Sequence, residues 1–267
     1  MKRVLLLILS AALLLSACSA ASAASYDAIL TEQAIGPLDS GFVSGMGSFG
    51  LSTASRLYKK DENLAISPVS IALALCLARA GAQGETKDEM TAALGLSGLT
   101  DEQITAACKA LMWRANTGGM EAANALWLLS DYEYKEDYIK TCTEEYMADL
   151  RPLAIPGAMG DVNAWAKEKT HGRIDSILPE EPSDDTRMII TNALYYLGEW
   201  ERPFDPNSTF DREFTTPSGA VTAPFMHSQW YVPYYKSDKF SMISLAFKTK
   251  ENEGQYAMAF LLPAESS

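Results

Sequence analysis

The segment from Met188 to Trp200 constrains the fold of this chain more than any other stretch. It is rich in β-branched and aromatic residues, and apolar side chains occupy both of its alternating faces. A strand that is apolar on both faces usually lies inside a sheet that is covered on both sides. We therefore predict that residues 188–200 form one long central strand against which the rest of the chain packs.

One polar side chain interrupts this predicted strand. Asn192 falls on the face that also carries Ile190 and Leu194, so its amide would be buried at the middle of the sheet. A buried amide without partners costs about 1–3 kcal/mol, so Asn192 needs dedicated hydrogen-bond partners. Ser67 and Ser70 are candidates, because they begin a predicted helix that is apolar almost all round and must itself be buried. From the residues alone, such a cluster is best interpreted as a satisfied polar group that fixes packing.

The composition indicates a globular, acidic protein. A chain of 267 residues, of which 48% are hydrophobic, can bury a large core. Its formal charge is −12, and without the leader residues Lys2 and Arg3 the balance is 20 basic against 34 acidic residues. That balance argues against nucleic acid or an anionic lipid surface as a partner.

Residues 1–17 have the pattern of a signal peptide. A basic start is followed by an apolar run, and small residues precede Cys18. The run is too short for an ordinary transmembrane helix. The quartet from Leu15 to Cys18 is similar to a bacterial lipoprotein cleavage box, which predicts that Cys18 carries lipid and anchors an exported, extracellular or cell-surface protein. The alternative is a plain secretory signal with an incidental cysteine.

The segment after the leader is rich in alanine, serine and glycine. We predict that residues 18–50 comprise the lipid attachment site, a tether and the approach to a first helix over 51–60. Within them, Gly45 to Gly50 matches a dinucleotide-binding glycine pattern but lacks a preceding strand, so a flexible segment is expected there. Residues 51–267 are expected to form one domain. The three remaining cysteines are widely spaced and do not suggest a disulfide framework, and Cys76 is expected to be a small core residue.

No set of residues in the sequence supports catalysis or a bound cofactor. The two histidines, His171 and His227, have no cluster of cysteine or carboxylate residues at metal-binding spacing around them. Ser67 is explained as a helix cap, and no nucleophile-elbow motif is present. We therefore expect no enzyme activity, no metal and no cofactor.

Five motifs follow one another in order along most of the chain. They are Asn63–Ser70, Ala123–Trp127, Lys169–Ile174, Asn192–Trp200 and Met258–Pro263. No single motif is decisive, but their order resembles that of the serpin family of serine protease inhibitors.

The resemblance implies an α+β fold with a large central β-sheet, smaller sheets and a surrounding set of helices. It implies that Ser67, Pro68, Ser70 and Asn192 form the shutter beneath the main sheet, and that Trp200 marks the breach where this sheet opens. By the same analogy the chain is incomplete at its C-terminus and ends before the reactive loop. The reactive bond is therefore expected to be absent from these residues.

The function implied by the resemblance is suicide inhibition of a serine or cysteine protease. In this mechanism a protease attacks an exposed loop, the loop inserts into the main sheet, and the acyl-enzyme is trapped. The expected partner is the target protease, and the protein is expected to act as a monomer that meets a membrane only through its lipid anchor. The alternative is a non-inhibitory cell-surface lipoprotein that uses a serpin-like scaffold for binding.

Overall fold

The computed structural model describes residues 38–60, 62–216, 218–248 and 256–264. These residues form six α-helices, eight strands and a short 3₁₀ turn at Pro206–Ser208. The helices are α1 (Ser40–Leu57), α2 (Pro68–Gly81), α3 (Gly84–Ala93), α4 (Asp101–Thr117), α5 (Glu136–Glu144) and α6 (Ala158–Lys169). The strands are β1 (Met120–Leu129), β2 (Ala148–Leu153), β3 (Met188–Tyr196), β4 (Thr209–Thr216), β5 (Gly219–Met226), β6 (Tyr234–Lys236), β7 (Phe240–Ala246) and β8 (Ala257–Pro263).

The mixture of helices and separate sheets confirms the predicted α+β class. The sheets have the strand orders β2-β1-β3, β4-β5 and β6-β7-β8. Strand β1 pairs with β2 in parallel, whereas β4 with β5, and β7 with its two neighbours, are antiparallel. The described residues divide into two compact units. The first unit extends to Asn116 and from Glu121 to Tyr195, and the second contains Thr117–Met120 and the described residues from Tyr196 onward.

In the first unit, the sheet β2-β1-β3 separates two apolar cores. One core includes Phe42 of α1, Met112 of α4 and Leu126 of β1. The other core lies between the sheet and α6, where Trp127 of β1 and Trp165 of α6 meet edge to face with ring centroids 6.3 Å apart. Successive residues of β1 therefore enter opposite cores, because side chains alternate along a strand. The predicted covering of the sheet on both faces is confirmed.

Strand β1, rather than β3, is the central strand in the described part of the chain. It lies between β2 and β3 and is buried along most of its middle, whereas in β3 only Thr191 and Ala193 are buried. Strand β3 also ends at Tyr196, and Leu197 beyond it is 72% exposed. The prediction of one long central strand over residues 188–200 was therefore wrong in position and in length. The burial of a strand depends on its neighbours, which its own apolar pattern does not reveal.

The first helix was predicted over residues 51–60, whereas α1 spans Ser40–Leu57, so its predicted start was wrong. The glycines of residues 45–50 therefore lie inside α1, and the prediction of a flexible segment was also wrong. Helix α1 begins at Ser40, where the carboxylate of Asp39 accepts hydrogen bonds from two backbone amides at 2.7 and 3.1 Å. A Cβ atom at Gly45 would lie 2.5 Å from the carbonyl oxygen of Gly95. Gly45 is therefore a packing residue, which allows α1 to approach the backbone that follows α3.

The cysteines of the described residues are buried core side chains. Cys76 lies in α2, Cys108 in α4 and Cys142 in α5, each as a free thiol. Burial raises the pKa of Cys142 to about 11, so this thiol keeps its proton near neutral pH. The predicted core position of Cys76 is confirmed.

A cluster of charged residues ties the end of α2 to α3 and α4. The side chain of Arg79 is almost fully buried, and it donates through Nε to Thr91 Oγ1 and through Nη2 to Asp101 Oδ1, each at 2.6 Å. Lys87 pairs with the other carboxylate oxygen of Asp101. These cations, Lys87 first and then Arg79, hold the pKa of Asp101 below its usual range. Asp101 therefore compensates the charge that Arg79 carries into the interior.

Replacing Asp101 with asparagine should lower the free energy of unfolding by about 1–3 kcal/mol near neutral pH. Arg79 would lose its counter-charge, although solvent already screens Asp101, whose side chain is 50% exposed. Since the pKa of Asp101 is lowered on folding, its contribution is present above the unfolded pKa of about 3.9 and is lost as the pH falls through the lower folded value. The difference between wild type and Asp101→Asn should therefore shrink below about pH 4.

Denaturant melts from about pH 7 to about pH 3 measure this difference. Asp131→Asn is the control, because Asp131 lies in an exposed turn. A stability difference for Asp101→Asn that is unchanged across the whole range would contradict the assigned role.

Candidate functional site

A chain of hydrogen bonds joins β3 to β1 and to the segment that follows α5. Asn192 in β3 donates through Nδ2 to Oδ1 of Asn124 in β1 at 2.7 Å. Asn124 is only 1% exposed and donates through its own Nδ2 to the backbone carbonyl of Tyr146, also at 2.7 Å. We call these two side chains and the Tyr146 carbonyl the amide chain. It links three separate parts of the sequence inside the first unit.

The two asparagines meet because β1 and β3 run antiparallel. Leu129 at the end of β1 donates its backbone N–H to the carbonyl of Arg187, just before β3 begins, at 3.1 Å. Asn124 and Asn192 lie further along the two strands in opposite directions, side by side. On the other face of the sheet, a second side-chain bond joins the same strands, since the indole Nε1 of Trp127 donates to Thr191 Oγ1 at 3.0 Å.

The amide chain leaves one acceptor unused. The Oδ1 atom of Asn192 is buried and has no hydrogen-bond partner among the described residues. A buried acceptor in this condition costs about 1–3 kcal/mol, so a further donor at this position would stabilise the protein.

The serines at the start of α2 are engaged with each other rather than with Asn192. The Ser67 hydroxyl caps the helix by accepting from the Ser70 amide at 3.3 Å, and Pro68 occupies the first turn. The Ser70 hydroxyl also donates to Ser67 Oγ at 3.0 Å. In the part of the chain that the structure describes, no hydrogen bond joins either serine to Asn192. Their expected role as its direct partners was wrong, whereas the predicted cap at Ser67 is confirmed.

Trp200 lies in an aromatic cluster of the second unit. Its indole stacks on Phe247 with centroids 4.6 Å apart and planes inclined by 9°. Phe204 and Phe260 lie close to it, at centroid distances of 6.4 and 6.3 Å. A Cβ atom at Gly198 would lie 2.7 Å from a ring carbon of Phe247, so the chain leading to Trp200 needs a glycine for this close approach.

Two further predictions concern residues that the structure does not place. Cys18, the predicted lipid attachment site, lies outside the described residues. The reactive bond was expected outside the 267 residues altogether. Both therefore stay predictions.

Asn124 and Tyr146 are the members of the amide chain that sequence reasoning missed. Asn124 could have been found by the argument used for Asn192, because it is the only amide in the apolar strand β1. Tyr146 contributes a backbone carbonyl, and a residue's type gives no signal of where its carbonyl points. Its role depends on the fold, which brings the segment after α5 next to β1.

Neither histidine is a member of the amide chain. His171 Nε2 is 2.9 Å from a carboxylate oxygen of Glu121, and its ring packs against Tyr195 with centroids 4.5 Å apart. His227 is exposed after β5. The described ranges contain no group of three or more histidine, cysteine, aspartate or glutamate side chains that could hold a metal ion.

The sequence comparisons point to one family. A family model described as serpin (serine protease inhibitor) matches residues 44–267. A serpin-like protein of Thermococcus kodakarensis is 30% identical over 231 residues, which cover 84% of this chain and 53% of the relative. Serpin-ZX of Arabidopsis thaliana is 33% identical over 220 residues, which cover 76% of this chain and 55% of the relative. The chain thus spans about half the length of the curated relatives that it matches.

Solved serpin structures are similar in fold to this chain. Tengpin, a thermophilic serpin, matches in its latent state with a TM-score of 0.76 at 25% identity, over 87% of this chain and 63% of tengpin. AtSerpin1 of Arabidopsis, in its native stressed conformation, matches with a TM-score of 0.73 at 26% identity, over 85% of this chain and 62% of AtSerpin1.

Asn124→Ala should destabilise the protein more than Asn192→Ala. Without Asn192, the Oδ1 atom of Asn124 loses its partner, but the unpaired Oδ1 atom of Asn192 is removed too, so we expect a loss of at most about 1 kcal/mol in the free energy of unfolding. Without Asn124, both the Tyr146 carbonyl and the Asn192 amide are left unpaired, and we expect a loss of about 2–3 kcal/mol. The double variant should lose less than the sum of the two, because both single variants break the same bond.

Denaturant midpoints of the four proteins in this cycle give the values. Asn63→Ala serves as the control, because Asn63 is exposed. Equal losses for the two variants, or strict additivity, would show that the amide chain does not act as one unit.

Proposed function

Because the chain belongs to the serpin family, we propose that the complete protein is an inhibitor of serine-type endopeptidases. The observation that carries this proposal is the family match over residues 44–267. The sheet β2-β1-β3, with the amide chain fastening its outer strand, supports it. The proposed partner is a target serine or cysteine protease, which supplies all the catalytic groups.

The proposed mechanism converts a cleavage reaction into a trap. The protease nucleophile attacks the carbonyl carbon of a reactive bond, an ester or thioester forms as the C–N bond breaks, and the leaving amine takes a proton from the protease histidine. The freed loop then enters the main sheet as a new strand, and release of the stored strain traps the acyl-enzyme. Since the chain spans about half the length of its relatives, this proposal places the reactive bond outside the 267 residues.

Strand β3 offers the edge that such an insertion would use. In the described part of the chain, β3 has β1 on one side and no strand on the other. The backbone N–H and C=O groups along such an edge can pair with an added strand. A donor on the strand beside β3 would also satisfy the unused Oδ1 atom of Asn192. We also propose, on the resemblance to serpins, that Ser67, Pro68, Ser70 and Asn192 form the shutter, with Asn124 positioning Asn192 through their hydrogen bond.

Trp200 is the proposed breach residue. The supporting observations are its place in the Asn192–Trp200 motif, shortly after β3, and its stacking on Phe247. Stacked aromatic rings contribute stability in addition to that from their buried area. This cluster therefore holds the segment that follows β3 in one conformation.

We propose that the protein is exported as a bacterial lipoprotein and is held at the cell surface. Residues 1–17 are the proposed signal peptide and Cys18 the proposed lipid site. The proposed tether ends before Ser40, where α1 begins, and the serpin domain follows as a monomer. Among the described residues, no helix is long and apolar enough to cross a membrane.

Incubation with trypsin-like, chymotrypsin-like and subtilisin-like proteases tests inhibition. The protein expressed from its complete reading frame should form an adduct with at least one protease, and the adduct should survive boiling in detergent because an acyl-enzyme is covalent. Residues 18–267 alone should form none, because in this proposal they lack the reactive bond. They should also fold poorly, since unpaired strand edges and apolar faces stay uncovered.

The control for this experiment is each protease with its active serine blocked beforehand by a sulfonyl fluoride. An adduct with residues 18–267 would contradict the placement of the reactive bond. Failure of the complete protein against the whole panel would favour the non-inhibitory surface lipoprotein instead.

The lipid anchor is tested by metabolic labelling with a fatty acid. Cys18→Ser should abolish the label and leave an unprocessed precursor, because the acyl chains are expected on the Cys18 thiol and amine. The variant keeps Cys76, Cys108 and Cys142, so loss of the label assigns the lipid to Cys18 alone. Equal labelling of wild type and variant would rule the anchor out.

A further inference from the structure

Two of the buried cysteines contact each other between α2 and α4. Cys76 of α2 and Cys108 of α4 are each 0% exposed, and the Cys108 thiol donates a hydrogen bond to the sulfur atom of Cys76. Residues 77–107 lie between them in the sequence, so only the fold brings the two thiols together. The third buried cysteine, Cys142, is hydrogen-bonded to Tyr138 of its own helix instead.

A second contact joins the same sides of α2 and α4. Cys76 and Arg79 are three residues apart on α2, and Asp101 and Cys108 are seven residues apart on α4, so each pair shares one face of its helix. Arg79 Nη2 donates to Asp101 Oδ1 at 2.6 Å. The ion pair and the thiol contact therefore hold the same two helix faces together, which keeps Cys76 and Cys108 opposite each other.

The surroundings favour the thiolate form at one of the two sulfur atoms. The hydrogen bond from Cys108 and the positive charge of Arg79 lower the pKa of Cys76, although burial opposes them. The same hydrogen bond, together with burial, raises the pKa of Cys108. Because the thiolate is the nucleophile in thiol–disulfide exchange, Cys76 is the better nucleophile of the pair.

We propose that Cys76 and Cys108 form a disulfide when the protein folds in an oxidising compartment, and that this bond fastens α2 to α4. The Cβ atoms of a disulfide lie about 3.5–4.5 Å apart, a separation that side chains in direct contact can reach, and the sulfur atoms then close to about 2.05 Å. In the cell this bond rests on the proposed export, because disulfides persist in oxidising compartments. The bond is independent of protease inhibition, since it involves neither the edge of β3 nor the reactive bond.

The oxidant is the disulfide of a thiol–disulfide oxidoreductase. The Cys76 thiolate attacks one sulfur of that disulfide, a mixed disulfide forms, and the first thiolate of the oxidoreductase leaves. The Cys108 thiol gives its proton to solvent, its sulfur attacks the Cys76 sulfur, and the second thiolate leaves. Two protein thiols are thereby oxidised by two electrons, and one disulfide is reduced to two thiols. Both protein sulfur atoms are buried after folding, so these steps precede closure of the core.

Peptide mapping tests whether the bond forms. The complete reading frame from residue 19 onward is expressed behind a standard secretory signal peptide in the bacterial periplasm, and without a signal in the reducing cytoplasm. The oxidising arm therefore does not depend on the leader of this chain. Each folded protein is denatured with an alkylating reagent present and is digested with trypsin without reduction. Cleavage after lysine and arginine, except before proline, places Cys76 in residues 61–79, Cys108 in residues 88–109 and Cys142 in residues 141–167.

Mass spectrometry should find residues 61–79 joined to residues 88–109 in the periplasmic protein, with Cys142 alkylated. The cytoplasmic protein should have all three cysteines alkylated, because its thiols stay reduced. If Cys76 and Cys108 are both alkylated in the periplasmic protein, or if either is joined to another cysteine, the proposal is wrong.

Thermal melts of the two preparations test whether the bond stabilises the fold. The periplasmic wild type should melt about 5–10 °C above the cytoplasmic one, because the bond closes a long loop. Cys76→Ala and Cys108→Ala should each melt at the same temperature from both compartments. Cys142→Ala is the matched control and should keep the wild-type difference, because Cys142 is buried in the same core but lies outside the pair. No difference in wild type, or one that persists in Cys76→Ala, would overturn the proposed bond.

Discussion

The hydrogen bond from Asn192 to Asn124 is the interaction on which the first unit depends. It lies on the sheet face that carries Leu126 and Ile190, away from α6, and joins strands that are far apart in sequence. Asn124 in turn donates to the Tyr146 carbonyl, so two hydrogen bonds of 2.7 Å each join β3, β1 and the segment that follows α5. Neutral hydrogen bonds contribute only about 0.5–1.5 kcal/mol each, but leaving their buried groups unpaired costs more. The chain of amides therefore acts mainly by penalising any arrangement in which these three elements separate.

Around this connection, the first unit is built by close backbone packing and by one compensated charge. Gly45 allows α1 to reach the Gly95 carbonyl, an approach that any side chain would block. Arg79 enters the interior only because Asp101 and Thr91 accept hydrogen bonds from it. Both features join helices that belong to the core on the side of the sheet opposite α6.

The sequence predicted those parts of the fold that depend on a residue and its near neighbours. The start of α2 at Ser67 and Pro68 follows from capping and from the fixed φ of proline. The α+β class was implied by the resemblance of the ordered motifs to the serpin family. The need of Asn192 for a partner was also visible, but the partner was not, because Ser67 already uses its hydroxyl within its own helix. The glycines of α1 were misinterpreted for a related reason. The sequence does not distinguish a glycine that allows flexibility from one that allows close packing. The packing role of Gly45 depends on Gly95, which lies far from it in the sequence.

The pairing of Asn124 with Asn192 also fixes the register of β1 against β3. A slip of β3 by one residue would turn Asn192 toward the core beside α6 and away from Asn124, because side chains alternate along a strand. A slip of two would keep the face but set Asn192 beside Ala122 or Leu126, neither of which has a side-chain acceptor. A single buried polar pair among apolar neighbours thus gives the sheet one permitted alignment, in the way that one buried asparagine specifies the alignment of a coiled coil. Any strand that later pairs with β3 meets a partner whose position along the sheet is already determined.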